Sequence, residues 1–560
     1  MNRRFRYLTV IFLLFNFFST FAASAGAQKR STATRQSLSS TRPKLIVGVV
    51  IDQFRYDYLT RFSDLFGEGG FKRLMREGAF FENANYIHVP TFMAPGHATF
   101  MSGSVPSLDG IVGNTWFDRA TGKSVTSVSD DTVKPIGGAS PALAASPRRF
   151  IGSTVGDELK LSNASQSKVI GISMKDRAAI LPAGHMANAA YWLDTDTGAF
   201  VSSTYYLDDL PPWAKAFNAE HPADKYFGKK WEKLKPEADY KRSGADDPAY
   251  EHVQSGNKFP HSINGGQEKI SPRYYNQLLT SPFANELEEA YAKAAIEGEN
   301  LGRGSATDLL TVSFSANDYV GHAFGPYSHE AEDMTLRTDI VIADFLKYLD
   351  QRFGSGNYWL VLTADHGAGP IPEHAKAERL GGGRTTGREI TDLINKALSK
   401  KFGDDKWVAS FENENLYLDY ATVAKHNQSL QSVIQVAQEI ALTIPGVEAA
   451  YTAEQLTGGH FIPGSMVQRI ANGYMSGRNG DLVFIPQPYT LFDGPNLLAS
   501  HGTPYTYDTH VPVIIYGPPF KSGHYSSICS PADIAPTLSF ELGLNAPSVS
   551  VGRVLSEALK

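Results

Sequence analysis

The 560-residue sequence has one cysteine, Cys529, so no disulfide can form within the chain and stability must come from the core or from bound metal. It has no basic excess. The net charge is −6, which argues against nucleic acid or an anionic membrane as the main partner. Long apolar runs are missing as well. Beyond residue 27 no stretch approaches the ~20 apolar residues that a membrane span needs. With 42% hydrophobic and 20% charged residues, the disordered and fibrous classes are excluded.

The first 27 residues read as a signal peptide. Arg3, Arg4 and Arg6 precede an apolar run from Leu8 to Phe18, and Ala25-Gly-Ala27 offers a small-residue cleavage site. The expectation is an exported protein, periplasmic or secreted, with no lasting membrane anchor. Residues 28–42, rich in Ser, Thr, Arg and Lys, read as a flexible lead-in to one large domain over 43–560.

Short β-branched runs mark buried strands at Leu45–Ile51, Lys168–Met174, Asp308–Phe314, Tyr358–Thr363 and Val511–Tyr516, with helical patterns between them. This alternation predicts an α/β fold with a mostly parallel sheet. Two regions break the rhythm, at about 181–304 and 375–495, and read as insertions capping the sheet.

In such sheets ligands bind beyond the carboxyl ends of the strands. Asp52 follows the first strand, Asp318 and His322 follow the third, Asp365 and His366 follow the fourth, and His501 precedes the fifth. Carboxylates and imidazoles are the donors a zinc-like ion takes, and six of them suit two ions of three protein ligands each. Asp365 and His366 are adjacent, and in an extended segment they would point opposite ways, each toward a different ion. Lys175 and Arg177 follow the second strand and, if that loop is extended, project to one side. A point charge beside a planar fork suits the oxygens of a phosphoryl group. Asn114 adds an amide donor. A helix beginning near Ala94, with Pro95 in its first turn, offers free N–H groups to an anion.

Asp52, Pro90-Thr-x-x-x-x-Gly-His97, Gly103-Ser-x-Pro, Gly110-Ile-x-Gly-Asn114, Asp318-x-x-x-His322, Ala364-Asp-His-Gly367, Ser500-His-Gly502 and Asp533-Ile-Ala-Pro-Thr-Leu538 occur in that order. Together they resemble the alkaline phosphatase superfamily. Lys175-x-Arg177 and Gly113-Asn-Thr-Trp116 narrow the resemblance to the exported, phosphate-irrepressible bacterial alkaline phosphatases. The resemblance implies an alkaline-phosphatase-like fold and two zinc ions, one held by Asp318, His322 and His501 and the other by Asp52, Asp365 and His366. It also implies that Asn114, Lys175 and Arg177 contact substrate phosphate, and that small phosphate esters are the substrates.

One position departs from the pattern. Relatives carry a nucleophilic threonine 21 residues before the asparagine, and here that position is Met93. A thioether cannot be deprotonated. Three readings follow: a two-zinc phosphomonoesterase working through Thr91 or through metal-activated water, a silent relative that binds phosphate esters, or a phosphodiesterase/nucleotide pyrophosphatase. A sulfatase is not expected, because the Cys or Ser followed by x-Pro-x-Arg is absent from this turn.

Overall fold

The computed structural model describes residues 42–248, 250, 256–495 and 497–560. The expected signal peptide and all but the last residue of the expected lead-in lie outside the described residues. No helix among the described residues is long and apolar enough to cross a membrane.

A ten-stranded sheet organises the chain. Its strands in sequence are β1 (Leu45–Ile51), β2 (Ala79–Asn85), β3 (Pro135–Ile136), β4 (Val169–Ser173), β5 (Ala189–Asp194), β6 (Ala199–Ser203), β7 (Asp308–Phe314), β8 (Tyr358–Thr363), β9 (His510–Tyr516) and β10 (Gly523–Tyr525). Their order across the sheet is β10-β2-β9-β8-β1-β7-β4-β5-β6-β3. The centre, β8-β1-β7-β4-β5, is parallel throughout.

β1 shows why these runs became central strands. All seven of its residues are buried. Leu45, Val47, Val49 and Ile51 pack into the core on one face, and Ile46 and Val50 into the core on the other. Each such aliphatic side chain contributes about 1.5–3 kcal/mol on burial, so a slip of one residue would be costly on both faces. Gly48 is required by close approach, since a Cβ there would lie 2.5 Å from Met101 Cε on the helix crossing that face.

The sheet is mostly parallel, as expected, and two details refine that reading. β9 runs antiparallel to β8, and β2 antiparallel to β9. A buried apolar run reads the same in either direction, and only the connection decides. The region 181–304 is also not wholly outside the sheet, because β5 and β6 form a hairpin that extends it. The region 375–495 contributes a separate four-stranded sheet, ordered 408–412, 415–418, 482–486 and 447–452. It has its own core around Ile390, Leu398, Trp407, Leu416 and Phe484.

Candidate metal centre

Four adjacent parallel strands deliver the candidate residues from their carboxyl ends. Asp52 comes directly after β1, and Lys175 lies two residues past β4. Asp365 and His366 follow β8. Past β7 the helix Ala316–Phe324 carries Asp318 and His322 one turn apart. His501 arrives from the loop before β9.

The side chains gather into two groups of three. Asp318, His322 and His501 offer donor atoms within 4.8 Å of one another, and Asp52, Asp365 and His366 do the same. In the first group, His322 Nε2 lies 3.1 Å and His501 Nε2 3.7 Å from Asp318 Oδ1. In the second, His366 Nε2 lies 3.5 Å from both Asp52 Oδ1 and Asp365 Oδ2. The groups are neighbours, with the His366 and His501 rings stacked at 3.5 Å. Asp365 and His366 therefore sit in one group rather than facing different sites, because β8 has ended and residues 364–371 are irregular.

The three imidazoles are oriented alike. Nδ1–H donates to a backbone carbonyl in each: His322 to Ala499 at 2.7 Å, His366 to Gly367 at 2.9 Å and His501 to Thr91 at 2.8 Å. That fixes the tautomer and leaves each Nε2 lone pair facing its group. Among the described residues, Asp52 Oδ1, Asp365 Oδ2 and His366 Nε2 are buried without a hydrogen-bond partner. Burial, aggravated by Asp318 and Asp365, pushes the Asp52 carboxyl well up. Burial pushes Asp318 up too, but His322, Lys175 and His501 outweigh it and hold this carboxyl well below its usual range. Burial, with His366 and His322 nearby, drives the His501 imidazole well below its ordinary value and keeps it neutral. Against its burial, Asp318 draws the His322 imidazole the other way, upward. Three buried Asp carboxyl groups beside three imidazoles whose Nε2 atoms face inward are a donor set that fits divalent zinc.

Lys175 lies between the two groups. Its Nζ is 3.0 Å from Asp52 Oδ2 and 2.5 Å from Asp318 Oδ2, and it rests over the Tyr319 ring. Burial opposes its charge, yet Asp318 and Asp52 outweigh that and hold it protonated. The loop after Lys175 is not extended, since a helix begins at Asp176 and Arg177 stands in its first turn. Arg177 still lies close enough to act electrostatically on Lys175 and Tyr319.

The helix of the nucleophile turn begins at Met93 and runs to Ser102. Met93 is buried, and its carbonyl accepts from His97 Nδ1 at 2.9 Å. The helix start is less open to an anion than its sequence suggests, because the Ala94 N–H donates to Asn114 Oδ1 at 2.9 Å. Thr91 is fully buried, and its hydroxyl donates to the Thr503 carbonyl at 3.0 Å. A cleft of about 440 Å3 opens over this region, lined by Phe92, Asn114, His322 and His501 together with Arg388 and Asp493 of the 375–495 insertion.

The sequence gives no sign of Gln53. Its backbone N–H donates to Asp365 Oδ1 at 3.1 Å and its Nε2 to Asp318 Oδ1 at 2.7 Å, so one residue ties both groups together. It does so with φ of 58°, in the left-handed region. Only its place next to Asp52 was available as a signal.

Residues 46–510 match the model of the type I phosphodiesterase / nucleotide pyrophosphatase family. The chain belongs to that family. It lies within the alkaline phosphatase superfamily, and the relatives it matches include alkaline phosphatases. Alkaline phosphatase PhoV of Synechococcus elongatus is 39% identical over 553 residues, covering 96% of this chain and 98% of the relative. A protein named calcium-transporting ATPase from Myroides odoratus is 39% identical, covering 95% of this chain and 97% of the relative. Alkaline phosphatase PafA of Elizabethkingia meningoseptica is 37% identical, covering 95% of this chain and 96% of the relative. The crystal structure of wild-type PafA matches with a TM-score of 0.88, covering 93% of this chain and 99% of that chain. This member of the family therefore keeps the alkaline phosphatase fold nearly end to end, with a thioether at position 93.

Proposed function

We propose that the chain is an exported two-zinc phosphomonoesterase whose phosphoryl transfer does not pass through residue 93. The observation that supports it most is the pair of adjacent, buried, three-donor groups with Lys175 between them. Asp318, His322 and His501 would hold one zinc, and Asp52, Asp365 and His366 the other. Zinc bound there supplies positive charge that acidifies water and neutralises a departing oxygen.

The chain's own residues do the rest. Lys175, Arg177 and Asn114 hold the non-bridging oxygens of the ester, two cations favouring the dianion of a monoester over the single charge of a diester. Met93 has no proton to lose and cannot form a phosphoenzyme. The Thr91 hydroxyl is committed to Thr503, away from that role. Water from the cleft therefore attacks phosphorus in a single displacement. The new P–O bond forms as the ester P–O bond breaks, and the leaving alcohol takes up a proton.

Met93 also favours a second reading, a protein that binds phosphate esters and does not turn them over. Phosphate release from a monoester and a diester, measured with zinc for the natural chain and for Met93→Thr, separates the two. Release by the natural chain that is lost in Asp318→Asn supports the hydrolase. Release by Met93→Thr alone supports the binding protein. A faster diester reaction overturns the monoester assignment.

A further inference from the structure

A third group of donors lies apart from both active groups, where the first insertion meets the long helix His329–Phe353. Glu237, Asp246 and His329 offer atoms within 4.8 Å of one another. His329 Nδ1 is 3.4 Å from Asp246 Oδ1 and 3.9 Å from Glu237 Oε1. His329 is only 6% exposed. Among the described residues, its Nδ1 and the facing Asp246 Oδ1 are both buried without a hydrogen-bond partner.

The spacing separates a metal site from a hydrogen bond. An N–H···O bond brings the atoms to about 2.7–3.2 Å. Two donors at zinc distances of about 2.0–2.1 Å with tetrahedral angles stand about 3.3 Å apart. The 3.4 Å and 3.9 Å separations lie beyond the hydrogen-bond range, and the corresponding separations within the two active groups run from 3.1 Å to 3.7 Å.

Lys233 does not use up these donors. Its Nζ lies 2.6 Å from Glu237 Oε2 and 3.0 Å from Asp246 Oδ2, the opposite oxygen of each carboxylate. It cancels one negative charge and leaves Oε1, Oδ1 and Nδ1 facing one point. The donors come from three separate segments. Glu237 opens a short 3-10 turn, Asp246 sits in a loop, and His329 begins the helix that follows the one carrying Asp318 and His322. An imidazole among the donors selects a zinc-class ion over calcium or magnesium.

We propose that Glu237, Asp246 and His329 bind a third, structural zinc-class ion that staples the first insertion to the start of the 329–353 helix. Neighbouring contacts already dock the same segment, with Ser243 donating to Glu332 at 2.5 Å and the Gly244 N–H to the Tyr327 carbonyl at 2.7 Å.

The test is zinc content per full-length chain after loading and removal of free metal, for the natural protein, His329→Ala and Glu237→Gln. Both variants are expected to hold one ion fewer than the natural chain. Because the Glu237 side chain is largely exposed, Glu237→Gln keeps the test valid even if His329→Ala folds poorly. Equal zinc content in the natural chain and Glu237→Gln overturns the proposal. The readout is a difference between chains, so it holds whether the active groups carry two ions or none. Asp318→Asn serves as the control that must leave the third ion in place.

Discussion

Gln53→Asn is the perturbation that most sharply tests how the two groups are held. Asn tolerates a φ of 58° as well as any non-glycine residue, so backbone strain is not added. Its side chain is one methylene shorter, and the 2.7 Å donation to Asp318 Oδ1 is lost, whereas the backbone donation to Asp365 survives. A hydrogen bond to a buried carboxylate is worth about 1.5–3 kcal/mol, and loss of a partner that orients a metal ligand costs roughly 10–100-fold in affinity. Zinc affinity measured by competition with a chromophoric chelator should therefore weaken by about that factor at the Asp318 group. Unchanged or tighter binding would refute the claim that Gln53 orients the ligands.

Gly321→Ala should reproduce this loss by another route, because its Cβ would lie 1.8 Å from Gln53 Oε1 and must displace it, and the same chelator titration reads it. Burial depresses the His88 imidazole from its ordinary 6.5 to about 4. Protons then bind the unfolded chain first, so stability present above pH 6.5 is lost as pH falls through 4, by roughly 3 kcal/mol. Denaturant unfolding should show that extra loss in the natural protein and not in His88→Gln. Thr91→Val should lower stability by about 1–3 kcal/mol, because the Thr503 carbonyl loses its partner, while phosphate release stays within a few-fold. Abolished release would restore Thr91 as the nucleophile.

The central strands were legible because burial on both faces leaves an uninterrupted β-branched run, as in Leu45–Ile51. The acids and histidines were legible because they follow such runs. Strand direction at 510–516 was not, since the pattern of a buried strand carries no sense of direction. The alternation rule alone would part Asp365 from His366, whereas the resemblance grouped them with Asp52, as found, because the extended backbone stops at Thr363. The backbone at Arg177 was not legible either, since a helix rather than an extended loop begins one residue before it. Gln53 was invisible because its role rests on a left-handed backbone angle at a residue type with no preference for it. Arg388 and Asp493 reach the cleft from an insertion whose short strands pack on a core of their own.

The central claim is hydrolysis without a phosphoenzyme at residue 93. Acid quenching during turnover of a phosphorus-labelled monoester, followed by mapping of protein-bound label, tests it most directly. The account predicts phosphate release by the natural chain with no label retained on it, and label at position 93 in Met93→Thr. Label on the natural chain, at Thr91 or elsewhere, would contradict it.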